Sequence, residues 1–477
     1  MRRIGALMML VLLTACAVGP DYKAPELRPP VAWRNSAGRA PAASEAPWWQ
    51  KFDDPLLNDL EREALATNLD LEQAIARVAQ AQGALVRANM ALLPGGEVDA
   101  SYARVRQSLN SGLGQLSRVV PGFKRDVDNA LGQAQTTWEI DFAGGLRRAR
   151  EAANAQAAAS TSAYDAGRIA ISAEVADAYL SLRGAQEQAT ALRNLVALAQ
   201  AESGFAAAHV HAGDTAAQAL PRATAAVNAL QAQLPALQAR MEGERNRLAV
   251  LLARPPGSAM PELVDEGALP DVPDPAAGQP ADILRHRPDL VASEQTLIAS
   301  NASVGIAIAE YYPKISLSGL VGQVSNRMAT FEDASSTQAQ GAVGLRWRLF
   351  DFARIDAEVR VARGRAREAD ASYRQAVLRA AENVETAFAQ LNAARARLEL
   401  LRQQRGAVAD TLYSEERAAQ AGEVSRESLN PIQQEVGRID LDIVTARQDI
   451  ARAAVGCERA LGAPTGSGAV VTELGLR

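Results

Sequence analysis

Few side chains in this 477-residue sequence have the type and spacing to do chemistry. It holds three histidines and two cysteines. His209 and His211 stand two apart just before Gly213-Asp214, and two imidazoles at that spacing could approach a metal ion. A structural zinc site takes about four ligands, and no third histidine or cysteine lies nearby. The pair therefore reads as exposed polar residues at a turn, and no metal is expected. His286, between Arg285 and Arg287, reads as a packing or hydrogen-bonding residue, and Cys457 as a small buried side chain. No Ser-His-Asp order, nucleophile elbow, phosphate-binding Gly-rich loop or paired-carboxylate signature is present. Neither an enzyme nor a cofactor is expected.

Cys16 is different in kind. Residues Met1–Cys16 read MRRIGALMMLVLLTAC, basic at Arg2 and Arg3 and apolar from Ile4 to Leu13. The run is too short for a bilayer-spanning helix, which takes ~20 residues, and fits a signal peptide over 1–15. It ends Leu13-Thr14-Ala15-Cys16, which resembles the bacterial lipobox, where the cysteine is acylated and becomes the new N-terminus. Cys16 is the expected lipid-attachment residue. Ala17 stands where an aspartate would retain such a lipoprotein at the inner membrane, so outer-membrane sorting is expected.

The elements that must position any site are mostly helical. Alanine, glutamate, arginine, glutamine and leucine dominate, which points to long helices. Fifty basic against 55 acidic residues give a net charge of −5, without the basic excess of a nucleic-acid binder. With 48% hydrophobic residues the chain is not compositionally disordered. Past the signal segment no run reaches 18 uninterrupted apolar residues, so any membrane crossing must use β-strands. Residues Ala17–Pro47, rich in proline, alanine and serine, read as an extended tether with little core of its own.

The chain is a duplication. Glu174-Val175-Ala176-Asp177-Ala178-Tyr179 matches Asn383-Val384-Glu385-Thr386-Ala387-Phe388 at an offset of 209. The same offset joins Ala212-Gly213-Asp214 to Ala421-Gly422-Glu423, and Leu252 to Leu461. Trp138 answers Trp347, and Leu93-Pro94 answers Tyr312-Pro313. Each copy begins with a helix (Pro55–Leu92, Pro288–Tyr311) stopped by proline. Two alternating segments follow, at 96–108 and 132–142 in the first copy and 314–325 and 340–350 in the second. Within Gln133–Phe142, Thr136, Trp138, Ile140 and Phe142 share one face. Then come proline-free helical stretches, Leu146–His211 and Ile355–Gln420, each of which would reach roughly 100 Å. Turns at Gly213 and Gly422 lead into returning helices, where Pro221, Pro235 and Pro431 predict kinks or breaks.

Four amphipathic strands cannot close a barrel, since bacterial barrels start at about eight. Open edges are forbidden in hydrocarbon, so strands in a membrane would need several chains to complete a ring.

The pattern resembles the outer membrane factor family of tripartite efflux and secretion systems, the TolC/OprM-like, NodT-type lipoproteins. The likeness runs from Cys16 to Pro464 and rests on Cys16-Ala17-Val18-Gly19-Pro20-Asp21-Tyr22 and on Trp48-Trp49-Gln50-Lys51-Phe52-Asp53-Asp54. Its most specific segment is Leu284-Arg285-His286-Arg287-Pro288-Asp289-Leu290. The resemblance implies a mainly α protein with a β-barrel part, a duplicated protomer of a homotrimer. Its twelve-stranded outer-membrane barrel would continue into a twelve-helix periplasmic tunnel, with a mixed equatorial region. It further implies contact with outer-membrane lipid, and as partners a periplasmic adaptor and an inner-membrane resistance–nodulation–division (RND) transporter.

The domain reading is then a lipidated tether and equatorial segment over 16–54, a first repeat over 55–255 with its hairpin at 146–254, and a linking segment over 256–287. A second repeat over 288–464, with its hairpin at 355–461, and a tail over 465–477 complete it. The implied adaptor contacts are the turns at Gly213, Asp214, Gly422 and Glu423. Many relatives carry an aspartate after the second turn that closes the tunnel, and here that position is Pro431. Glu423, Arg426, Glu427 and Glu435 are the substitute gate candidates. Type I protein secretion, or a periplasmic scaffold of helical hairpins that never enters the membrane, remain as alternative readings.

Overall fold

The computed structural model describes residues 17–26, 30–36, 46–264 and 267–466. The signal segment 1–15, Cys16 and residues 467–477 of the tail lie outside the described residues. The chain divides into two compact units, each built from both repeats.

The first repeat starts with α1 (Pro55–Thr67) and α2 (Leu69–Met90), followed by β1 (Gly95–Arg106), a short helix α3 (Gly112–Val119) and β2 (Asp126–Ile140). Its hairpin is α4 (Gly145–Ala212), α5 (Ala219–Gln231) and α6 (Leu234–Leu251). The second repeat has α7 (Pro280–His286), α8 (Pro288–Ala309), β3 (Lys314–Ser325), β4 (Thr337–Arg346), and the hairpin of α9 (Phe352–Ala421) and α10 (Leu429–Leu461).

Unit one comprises Met1–Glu26, Val78–Ser160 and Ser293–Tyr373, and contains the sheet. The four strands pair antiparallel in sequence order, so the β2–β3 ladder joins the two repeats. Side chains alternate across the pleat. Trp138, Leu317 and Val343 line up across three strands, as do Ile140, Ile315 and Leu345, on a solvent-open apolar face. The opposite face is polar. There Gln135 donates to Glu97 and, at 2.9 Å, to Asp99, and Gln338 meets Gln133. β2 begins six residues before its alternation does, because backbone pairing with β1 extends the ladder to Asp126. β4 stops at Arg346, and Trp347 instead donates its indole N–H to the Tyr311 carbonyl at 3.0 Å. Trp138 does the same to Leu92 at 3.0 Å, so each tryptophan ties the end of a strand to the end of its preceding helix.

The described residues of the expected extended tether are bound to the rest of the chain. In unit one Val18 N–H donates to Ala143 O at 3.1 Å. The buried Arg148 guanidinium holds Val18 O, Gly19 O and the Asp21 carboxylate, the last at 2.7 Å. Asn301 takes Pro20 O, and Tyr22 bonds Glu294 at 2.8 Å. Extended chain with free carbonyls needs such donors, and prolines fix its backbone without competing for them. In unit two, Trp33 is buried and donates to Ala277 O.

Unit two comprises Leu27–Arg77, Thr161–Ala292 and Arg374–Arg477. Its core is alanine-rich: Ala176, Ala178 and Ala185 of α4 are fully buried beside Leu180 and Leu182, and so are Ala446 and Ala451 of α10. Small residues let helices approach closely. Trp48, Trp49 and Phe52 form a buried edge-to-face cluster, and Lys51 pairs with the buried Glu458 at 2.9 Å. Asp54 caps α1 through Leu56 and Leu57 N–H and accepts the Tyr179 hydroxyl at 2.6 Å. In the Arg-Pro-Asp motif the buried Arg287 clasps Asp289 with two bonds and reaches Ala460 O. His286 is exposed and bonds its own helix at Asp282 O, while Cys457 is buried.

The expected break occurs at Pro235, where the arm is interrupted at Ala232-Gln233, but not at Pro221 or Pro431. Pro221, Pro235 and Pro431 fall in the first turns of α5, α6 and α10. There the missing N–H has no intrahelical acceptor to lose, so Pro221 and Pro431 start helices without bending them, while Pro235 starts a new helix after a break in the arm. The first repeat's returning arm breaks at Ala232-Gln233, whereas α10 runs 33 residues unbroken.

Candidate functional site at the hairpin turns

Both hairpins turn by the same local device. Gly213 and Gly422 each adopt φ +78°, a left-handed conformation that glycine takes without a Cβ penalty. Asp214 N–H returns to His209 O and Glu423 N–H to Ala418 O, both at 2.9 Å, closing matched C-terminal caps. Gly213, Asp214, Gly422 and Glu423 are all exposed at these turns.

The turns are joined by one charged contact. His209, in the last turn of α4, has Nε2 at 2.8 and 2.7 Å from the two carboxylate oxygens of Glu427, in the short turn Arg426–Ser428. Asp214 Oδ2 lies 3.6 Å from His209 Nδ1. The bond to Glu427 and its charge, with a smaller part from Asp214, hold the imidazole pKa above its usual value. Of the gate candidates, the structure thus brings Glu427 to the first hairpin. Glu423, Arg426 and Glu435 are exposed, and among the described residues no bond joins them to Glu427.

This contact ends a regular seam between α4 and α10. Gln188 bonds the Gln448 side chain at 2.8 Å, and Glu202 meets Gln434. Along α4 the steps from 188 to 202 to 209 are fourteen and seven residues, and α10 and its leading turn answer with 448, 434 and 427. That is a heptad rhythm, with the helices antiparallel. Gly437 sits where a Cβ would lie 3.1 Å from Leu195, so the seam is tight between its polar layers. The layers pass from amide–amide through amide–carboxylate to imidazole–carboxylate toward the turns. Sequence reading set His209 aside as an exposed polar residue. The usable signal was charge opposition just inside one turn and just beyond the other.

Comparison with known proteins fits this duplicated architecture. The profile of the outer membrane efflux protein family matches residues 60–254 and 280–463, one block per repeat. The chain belongs to the outer membrane efflux protein family. Outer membrane protein OprJ of Pseudomonas aeruginosa is 32% identical to it over 403 residues, covering 81% of this chain and 80% of OprJ. The pyoverdine export outer membrane protein OpmQ of Pseudomonas putida is 30% identical over 389 residues, with 81% of each covered. Among solved structures, the outer-membrane channel OprN is similar at a TM-score of 0.80 and 28% identity, with 94% of this chain and 99% of that chain covered. The Campylobacter jejuni CmeC outer membrane channel shares the fold at a TM-score of 0.82 and 20% identity, with 96% and 97% covered. This outer membrane efflux protein therefore has the fold of outer-membrane channels and an outer-membrane location. The family is one of channels, not of enzymes.

Proposed function

We propose that three copies of the chain form the exit duct of a tripartite RND-type pump that carries small molecules from the periplasm to the exterior. The observation that carries this is the sheet: four strands with a continuous apolar face and two unpaired edges, β1 and β4. Three such sheets supply twelve strands and leave no edge, the condition for a stable ring in hydrocarbon. Among the described residues no helix is long and apolar enough to cross a membrane. An acylated Cys16 anchors each copy. The turns at Gly213 and Gly422 dock a periplasmic adaptor, which links the duct to an inner-membrane transporter, and Glu427 belongs to the device that closes it. Relatives named for export of pyoverdine, toluene and antibiotics favour small molecules over protein secretion as cargo.

Reconstitution of the detergent-purified protein into planar bilayers tests this reading. The expected result is a trimeric, ion-conducting species with diacylated Cys16. A chain that is monomeric and soluble without detergent once Cys16 is removed would overturn it in favour of a periplasmic scaffold.

A further inference from the structure

The β1–β2 loop carries a helix that nothing in the duct reading uses. α3 is capped by Ser111, whose Oγ accepts Gly114 N–H at 3.1 Å. Gly114 is buried against its own loop, where a Cβ would sit 1.8 Å from Ser108 O. The other side of the helix is bare: Leu113, Leu116, Val119 and Val120 are 57%, 40%, 78% and 46% exposed. At ~100° per residue Leu113, Leu116 and Val119 fall within an arc of roughly 120°, and Val120 follows as the extended C-cap. Arg118 projects from the opposite side.

Charge and position say what covers that arc. Residues 107–125 contain Arg118, Lys124 and Arg125 and no acidic residue. Arg125 is spent on Gln107 O, while Arg118 and Lys124 have no protein partner among the described residues. The apolar face of β1 and β2 ends just before this loop in a charged border: Arg106 lies 3.8 Å from Asp126, and Tyr102 bonds Asp128. In a lipid-facing sheet such a border marks headgroup level, so α3 begins where the hydrocarbon stops. A short helix with an apolar arc and basic flanks suits the surface of an anionic bilayer.

We propose that α3 rests on the outer membrane as an interfacial helix, its apolar arc in the leaflet and its basic residues against phosphate-bearing headgroups. The proposal relies on the sheet forming a lipid-facing barrel. Contact with an anionic surface strengthens by about fivefold for each basic residue within reach.

The test uses the full chain with Leu116→Cys carrying a bimane label, reconstituted into vesicles of phosphatidylcholine alone or mixed with phosphatidylglycerol. The expected result is strong quenching by a headgroup-level spin-labelled lipid, greater in the anionic vesicles, with the contact equilibrium weakened by at least about fivefold by each of Arg118→Glu and Lys124→Glu. Conductance of the reversed-charge variants should match the parent. Quenching by aqueous iodide alone, indifferent to lipid charge, would overturn the proposal. So would disulfide crosslinking between copies of the unlabelled Leu116→Cys variant, which would place the helices together over the mouth of the ring. A parent protein that neither inserts nor conducts would instead defeat the barrel reading beneath it.

Discussion

His209 Nε2 contacts both oxygens of Glu427, at 2.8 and 2.7 Å, and so joins the end of α4 to the segment that opens the second returning arm. The bond crosses 218 positions of sequence and ties one repeat to the other at their turns.

That contact depends on a proton. Glu427, and Asp214 behind it, raise the folded-state pKa of His209 above the imidazole norm of about 6.5. Its contribution is therefore complete below the unfolded value and is lost as pH rises through the higher folded value. Channel opening in planar bilayers should become more frequent as pH increases across that window. His209→Gln should flatten the response and leave the channel in its high-pH behaviour. A wild-type pH profile that His209→Gln leaves unchanged would remove the latch from gating.

Glu61 of α1 is fully buried, and neither carboxyl oxygen has a hydrogen-bond partner. Burial pushes its pKa well above the usual carboxylate range. The folded chain holds a proton there that the unfolded chain releases above about pH 4.3, so rising pH costs stability until the folded pKa is passed. Glu61→Met should raise the unfolding midpoint at pH 8, by about 1–3 kcal/mol in stability, and do less at pH 5. Thermal scans of the two proteins at both pH values read the difference.

The strap that follows Cys16 should be releasable by one small change. Gly19 has φ +98°, and a Cβ there would lie 2.5 Å from Gly305 Cα. Gly19→Val meets both backbone strain and backbone collision, neither of which a rotamer change relieves. Tryptic cleavage after the exposed Lys23 should accelerate by about tenfold or more, the factor that ~1.4 kcal/mol of lost docking gives. A cleavage rate equal to wild type would mean the strap is held independently of Gly19.

The Arg-Pro-Asp motif has a structural task. Arg287 Nε and Nη2 clasp Asp289 at 3.0 and 2.7 Å while Nη1 reaches Ala460 O near the end of α10. Lysine offers a single point donor and cannot reproduce that fork. Arg287→Lys should destabilise the protein by about 1.5–3 kcal/mol and lower detergent-resistant oligomer yield. An unfolding midpoint indistinguishable from wild type would refute it.

The repeat is visible in the sequence because both copies meet the same demands: Trp138 and Trp347 make matching indole bonds, Gly213 and Gly422 share φ +78°, and Leu252 and Leu461 are both buried. The alternating faces of β2 and β3 were legible for a similar reason, since the pleat imposes them. Other features depend on partners remote in sequence. Nothing near Val18 or Gly19 announces that Arg148 will take their carbonyls, so a Pro-Ala-Ser segment looked like a tether. Pro221 and Pro431 misled because position within a first turn decides a proline's effect, and the helices that hold them start at Ala219 and Leu429. His209 has Asp214 as a local neighbour, but its bond to Glu427 emerges only when the heptad register of α4 against α10 brings that carboxylate opposite it.

The two unpaired edges also bear on how the chain enters a membrane. β1 and β4 are 12 and 10 residues long, and every second residue turns its N–H and C=O to the outer side. Each buried unpaired group costs several kcal/mol in hydrocarbon. In the proposed three-copy ring, a lone copy or a pair would therefore be held out of the bilayer until the last edge is matched. On that reading the lipid would act as a proofreader of stoichiometry, refusing every ring with an edge still open.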